Sequence, residues 1–178
     1  SWFKCGQNQL TSLDVSSNPN LNFLICSHNQ MTSLDVGSNT ALTYLNCGGN
    51  QLLTYLNMKN GLTDQLTHFN ATGNSLTCIE VNADDIDYAT ANWTNANGNI
   101  DAGVTFADIC YASNPSYTYV PDDNFEQALI DLGYDNVLDD YVITDSISGV
   151  TTLNVNNDSI SDLTGIEDFV SLTELECA

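Results

Sequence analysis

Six cysteines, two histidines and 23 acidic residues are the side chains of this 178-residue chain best suited to chemistry. Cys5, Cys26 and Cys47 recur at intervals of 21, and Cys177 sits in the related context LTELEC. Parallel strands in register lie about 4.7–4.9 Å apart, wider than the roughly 3.8 Å between Cβ atoms that a disulfide prefers. These four are therefore expected as buried thiols that serve as small hydrophobes. Cys78, in LTCIEV, takes the outward position filled by Ser12 and Ser33, and Cys110 is the one other cysteine outside the ladder. A Cys78–Cys110 disulfide is predicted. It would close a loop of roughly 30 residues, worth about 3–4 kcal/mol by chain entropy.

The remaining reactive types point away from catalysis. His28 and His68 fall at outward strand or turn positions, and the chain contains neither G-x-S-x-G nor H-E-x-x-H. Carboxylate pairs such as Asp84–Asp85 and Asp139–Asp140 are a chemistry of glycoside hydrolysis, but they lie in segments that read as caps, so no enzyme activity is expected. Calcium suits these acids better, because it takes several oxygen ligands. The candidate ligands are Asp84, Asp85 and Asp87, then Asp135, Asp139 and Asp140. Neither set matches an EF-hand loop, and helix capping with plain solvation is the competing account. No other cofactor is implied.

Elements that position these residues follow from the 21-residue echo. Phe3, Leu24, Leu45 and Phe69 share one inward position, Cys5, Cys26, Cys47 and Ala71 the next, and Asn8, Asn29, Asn50 and Asn74 follow. Inward and outward residues alternate as strands require. The buried asparagines are placed to satisfy backbone groups left open in tight turns. Phe69 comes 24 residues after Leu45, which puts a three-residue insertion near Lys59–Gln65. A short unit of this kind cannot bury its apolar face alone, so copies must stack. Stacking would bring the outward residues Trp2, Phe23, Tyr44 and His68 into an aromatic ladder. Such a ladder either binds sugar rings or a protein partner, or stiffens the sheet by stacking on itself. On the opposite face Asp14, Asp35, Asn57 and Glu80 read as a solvated polar ladder.

The units LTSLDVSSNPNLNFLICSHNQ and MTSLDVGSNTALTYLNCGGNQ resemble the leucine-rich repeats of secreted Bacteroidota proteins, over nearly the whole chain. The resemblance implies a β-rich right-handed leucine-rich-repeat solenoid, an extended binding face, a secreted or cell-surface location and no enzyme activity. Two arrays are expected, joined by a disulfide-bridged C-terminal cap, a linker and a short helical N-terminal cap. Residues 1–81 read as the end of the first array and 82–111 as its cap, with Tyr88, Trp93 and Phe106 as plugs on the open core. Residues 112–118 read as a linker. Residues 119–149 resemble the helical N-terminal cap of bacterial arrays, and 150–178 the start of a second array. In that cap Asp123 and Glu126 suggest a capping box, with Phe125, Leu129 and Leu132 on one face and Gly133 as the stop; this is the one helix expected. By resemblance alone, DSI at 145–147 and 158–160 marks Ser146 and Ser159 as O-glycosylation sites. Both ends of the sequence fall mid-coil, which suggests a piece of a longer protein or a unit completed by neighbouring copies.

Charge narrows the partners. The chain carries a net −21, with Lys4 and Lys59 its only basic residues besides the histidines. Nucleic acid and anionic membrane surfaces are disfavoured, and no apolar run is long enough to cross a bilayer. The resulting expectation is a non-catalytic extracellular or bacterial cell-surface module of an adhesin or ligand-capture protein, binding glycan or protein. The alternative is a structural stalk, spacer or fibre module whose partners are further copies or arrays of the same protein.

Overall fold

The structure is a computed structural model that describes residues 1–111, 114 and 116–178. It divides into two compact units, Ser1–Ser113 and Asn114–Ala178, each with its own apolar core.

The first unit contains β1 (Trp2–Lys4), β2 (Phe23–Ile25), β3 (Ser33–Asp35), β4 (Tyr44–Asn46), β5 (Tyr55–Asn57), β6 (His68–Asn70), β7 (Cys78–Glu80), helix α1 (Ile86–Asn92) and β8 (Thr105–Ala107). The strands form two parallel four-stranded sheets, ordered β1-β2-β4-β6 and β3-β5-β7-β8. Every strand is three residues long, and its middle residue faces the core except in the edge strand β1, where Phe3, expected inward, is exposed. Leu24, Leu45 and Phe69 from the first sheet and Leu34, Leu56 and Ile79 from the second are buried in one shared core. Burying each such side chain contributes about 1.5–3 kcal/mol.

Asparagines close the turns between the sheets. Asn29 Nδ2 donates to the carbonyls of Cys5 and Cys26, Asn50 Nδ2 to those of Cys26 and Cys47, and Asn74 Nδ2 to those of Cys47 and Ala71. The backbone N–H of Asn29 donates to Asn50 Oδ1, that of Asn50 to Asn74 Oδ1, and that of Asn74 to Asp101 Oδ2. Each amide thus ties its own turn to both neighbours, which answers the hydrogen-bonding needs of backbone that is buried but belongs to no strand.

The second unit holds β9 (Tyr117–Tyr119), α2 (Asp123–Asp131), β10 (Tyr141–Ile143), α3 (Thr144–Ile147), β11 (Thr152–Asn154) and β12 (Glu174–Glu176). β9 and β10 pair antiparallel, β11 and β12 parallel. Val120, Phe125, Leu129, Ile147 and Leu153 form the centre of its core.

The expected fold class, a right-handed leucine-rich-repeat solenoid of two arrays, is corrected by this architecture. The strands assemble into several small sheets with few helices, in place of one continuous solenoid. Between the parallel sheets of the first unit and the β11–β12 pair, the chain forms the antiparallel β9–β10 pair and helix α2. Residues 112, 113 and 115 of the expected linker lie outside the described residues, and Tyr117 and Thr118 belong to β9 rather than to a linker.

The helices also differ from expectation. α2 is joined by α1 and by the single turn α3. Ile86, Ala89 and Trp93 recur at helical spacing, which turns one face of α1 to the core. Asp122, not Asp123, caps α2, its Oδ1 accepting the N–H groups of Asn124 and Phe125 at 3.0 Å each. Leu132 lies beyond the helix and is exposed, while Gly133, at φ +82°, ends the turn as predicted.

Candidate surface site and the buried carboxylates

The outward residues of the first sheet come into register as the 21-residue echo required: Trp2 opposite Phe23, Phe23 opposite Tyr44, Tyr44 opposite His68. The Phe23 and Tyr44 rings stack with centroids 4.1 Å apart and the Tyr44 and His68 rings at 4.3 Å, with interplanar angles of 19° and 16°. These three rings therefore spend their faces on one another and turn their edges outward. Trp2 is 73% exposed, and the Lys4 ammonium lies 5.3 Å from the Trp2 and Phe23 ring centroids, a cation–π arrangement. At the other end of the row His68 borders a recess that is also lined by Tyr88, Asn92, Asn97 and Asn99. Tyr88 belongs to α1 and is exposed there, so it does not plug the core. Trp93 does, its ring centroid 4.2 Å from that of Phe69 with the planes tilted by 36°, and Phe106 edge-on at 5.8 Å.

The opposite ladder is not uniformly solvated. Asp14 and Asp35 are exposed, but Glu80 is buried: its Oε2 accepts from the Tyr55 hydroxyl at 3.0 Å and its Oε1 from the Cys110 N–H at 3.1 Å. The buried carboxylate thus joins β5, β7 and the disulfide segment. Cys78 and Cys110 form the predicted disulfide, with Cα atoms 5.8 Å apart. Cys5, Cys26, Cys47 and Cys177 are free thiols. Burial pushes the Cys47 thiol up to about 12 and raises Cys26 further, with a smaller rise at the half-buried Cys5. Cys177 was expected to be buried and is exposed.

The acidic candidates do not assemble as two calcium clusters. Among the described residues no group of three or more His, Cys, Asp or Glu side chains is arranged to hold a metal ion. Asp84 and Asp85 lie in a one-turn helix, Ala83–Asp85, and Asp85 Oδ2 accepts from the Thr63 hydroxyl at 2.8 Å; Asp87 lies in the first turn of α1. Asp139 Oδ1 accepts the N–H of Tyr141, two residues on, and Asp140 takes a left-handed conformation at φ +68°. Asp135 behaves differently, as its Oδ2 is buried without a hydrogen-bond partner. Ser146, on α3, and Ser159, in a left-handed conformation at φ +61°, are both exposed.

Two carboxylates that the sequence reading assigned other roles, or none, organise the second unit. Asp122 Oδ2 accepts from the Ser161 hydroxyl at 2.6 Å and from the N–H groups of Ser161 and Asp162. The Ser161 hydroxyl and N–H hold its carboxyl well below the usual carboxylate range. Glu126 is fully buried; its Oε1 accepts the N–H groups of Asp139 at 2.9 Å and Tyr141 at 3.1 Å. It is therefore bonded to the turn before β10 and is no partner in a capping box. Burial raises its carboxyl, with the charge of Asp135 adding a smaller push. The signal for Glu126 was its spacing from Leu129, three residues on, which puts both on the core face of α2; Asp122, as the cap, has no such signal.

A disulfide is compatible with an extracellular protein. No helix among the described residues is long and apolar enough to cross a membrane. No protein-family pattern matches the chain, and neither does any characterised protein or solved structure.

Proposed function

We propose that this chain is a non-catalytic binding module of an extracellular or bacterial cell-surface protein, of the leucine-rich-repeat kind its sequence resembles, and that it captures a glycan or protein ligand on the β1-β2-β4-β6 face. The observation that carries this reading is the stacked row Phe23, Tyr44, His68 ending in a recess lined by Tyr88 and three asparagines. Aromatic rings beside planar amides supply an apolar surface and directed hydrogen bonds together, the combination that polar ring-shaped ligands require. Trp2 and Lys4 offer an exposed ring and a cation at the far end of the same row.

The ring stacking itself favours a second reading, a stalk or spacer in which the row stiffens the sheet. One double substitution separates the two. Phe23→Ser with Tyr44→Ser, tested on an array of bacterial and mucosal polysaccharides and proteins, is expected to abolish binding seen with the unaltered chain. It should cost only the lateral stacking, on the order of 1 kcal/mol, or roughly 4 °C in Tm. Normal binding by a double variant that melts far lower would give the row to stiffening and the chain to the structural role.

A further inference from the structure

The recess at the β6 end of the ring row has a volume of about 290 Å³ and an apolar floor, formed by the buried rings of Phe69 and Trp93. Among the described residues that line it there is no lysine, arginine, aspartate or glutamate. Its polar side chains include the exposed amides of Asn92 and Asn97, each held by one local bond: Asn92 Nδ2 donates to the Tyr88 carbonyl at 2.8 Å, and Asn97 Nδ2 to the Asn92 carbonyl at 3.1 Å. Those bonds identify the nitrogen end of each amide and leave its second N–H and its oxygen for a ligand. Asn99 has a different task. Its Nδ2 donates to the Phe69 carbonyl at 2.9 Å and its Oδ1 accepts the Thr94 N–H at 3.3 Å, so its amide holds the loop itself. His68 stacks on Tyr44 with one face, and because β6 is the last strand of its sheet the other face meets the recess.

This lining separates classes of ligand. Neighbouring hydroxyls need a donor and an acceptor side by side, which a fixed amide provides, and the C–H face of a sugar ring packs on an aromatic face. A carboxylated or sulfated sugar needs a cation or several converging N–H groups in place of its water. No lysine or arginine of the recess supplies that cation, and the net −21 of the chain repels anions from a distance. An ammonium group would want a carboxylate, which the described lining lacks equally. The volume suits one small ring and not the side of a folded partner. Building on the reading of this face as a binding surface, we propose that the recess seats one uncharged sugar residue of a neutral polysaccharide. Asn92 and Asn97 bind its hydroxyls, and His68 carries its ring.

The test is calorimetric titration of the full chain with soluble polysaccharides, the uncharged β-glucan, xylan and galactomannan against the acidic polygalacturonate, alginate and chondroitin sulfate. At least one uncharged polysaccharide should bind and the acidic ones should not, and Kd should change less than about twofold between about 0.05 and 0.5 M sodium chloride, because no ion pair is there to be screened. Asn97→Ala and His68→Ala, each checked for folding by circular dichroism, should weaken binding about tenfold, through lost hydrogen bonds in the first and a lost ring face in the second. His68→Phe, which restores a ring face, and Ser33→Ala, in strand β3 of the other sheet, should bind like the unaltered chain. The proposal is overturned if no uncharged polysaccharide binds, if the acidic ones bind as tightly, or if binding survives both alanine variants. Binding that survives those variants but is lost with Phe23→Ser and Tyr44→Ser together would put the ligand on the ring row and keep the wider reading while removing the recess from it. A protein bound in place of any glycan would likewise overturn the sugar assignment and leave the face a binding surface.

Discussion

Cys47 and Cys177 occupy equivalent places in the sequence pattern, yet one thiol is buried between strands and the other is exposed. Reactivity belongs to the thiolate and depends on access, so alkylation by iodoacetamide at pH 8 should follow a fixed order. Cys177 is expected to react first, Cys5 more slowly, and Cys26 and Cys47 only on unfolding, the last held back by a thiol raised to about 12. Cys78 and Cys110 should label only after reduction. Peptide mapping that finds Cys26 or Cys47 alkylated in the folded chain would contradict their burial. The division into four thiols and one bridge was legible because strand spacing forbids one bridge and leaves the other two cysteines together. The exposure of Cys177 was not, since the spacing of a motif does not carry what covers it. Glu80 escaped for a related reason: its place in the outward series matches Asp35 and Asn57, and only the Cys110 segment folding over it makes it interior.

Turns and short helices show where local pattern was enough. The asparagine turns follow directly from an amide repeated at the same offset, and their hydrogen bonds tie each turn to the one before it. Gly49 in this series has a steric reason to be there. Gly49 sits at φ +74°, and a Cβ added to it would lie 2.2 Å from Nδ1 of His28. Gly61 has nearly the same φ, +73°, with nothing within 4 Å. Gly61→Ala should therefore pay only the left-handed conformation, about 1 kcal/mol and partly offset by a less free unfolded chain. Gly49→Ala should cost about 2 kcal/mol, because the His28 ring must also move. Chemical denaturation of the two variants checks this, and His28→Ala with Gly49→Ala should recover the difference. Equal costs at both positions would show that the His28 contact is immaterial. Helix α1 was missed although Ile86, Ala89 and Trp93 carry the helical period, because the surrounding Asn, Asp and Thr residues favour turns when read one at a time. The cap of α2 was misplaced by one residue: Asp122 and Asp123 are both competent, and the choice is made by Ser161, distant in sequence, which binds Asp122.

Charge is shared unequally between the units. Ser1–Ser113 carries nine acids against two lysines, a net of −7, whereas Asn114–Ala178 has fourteen acids and no base, a net of −14 on 65 residues. The one described ion pair, Lys59 Nζ to Asp108 Oδ1 at 2.7 Å, lies in the first unit. Self-repulsion of this kind opposes the compact state, and salt relieves it: the Debye length falls from about 10 Å at 0.1 M to about 3 Å at 1 M. Sodium chloride raised from about 0.02 to 0.5 M, with chelator present to exclude divalent ions, should therefore stabilise the second unit more than the first. Both tryptophans, Trp2 and Trp93, lie in the first unit, so tryptophan fluorescence follows that unit, and hydrogen exchange in α2 follows the other. The midpoint read from α2 is expected to rise by several degrees, since about 1 kcal/mol corresponds to roughly 4–8 °C in a domain of 60–100 residues. The midpoint read from tryptophan should move less. Equal shifts, or a larger one in the tryptophan signal, would show that repulsion among the second unit's carboxylates is already weak, and that its charge count does not govern its stability.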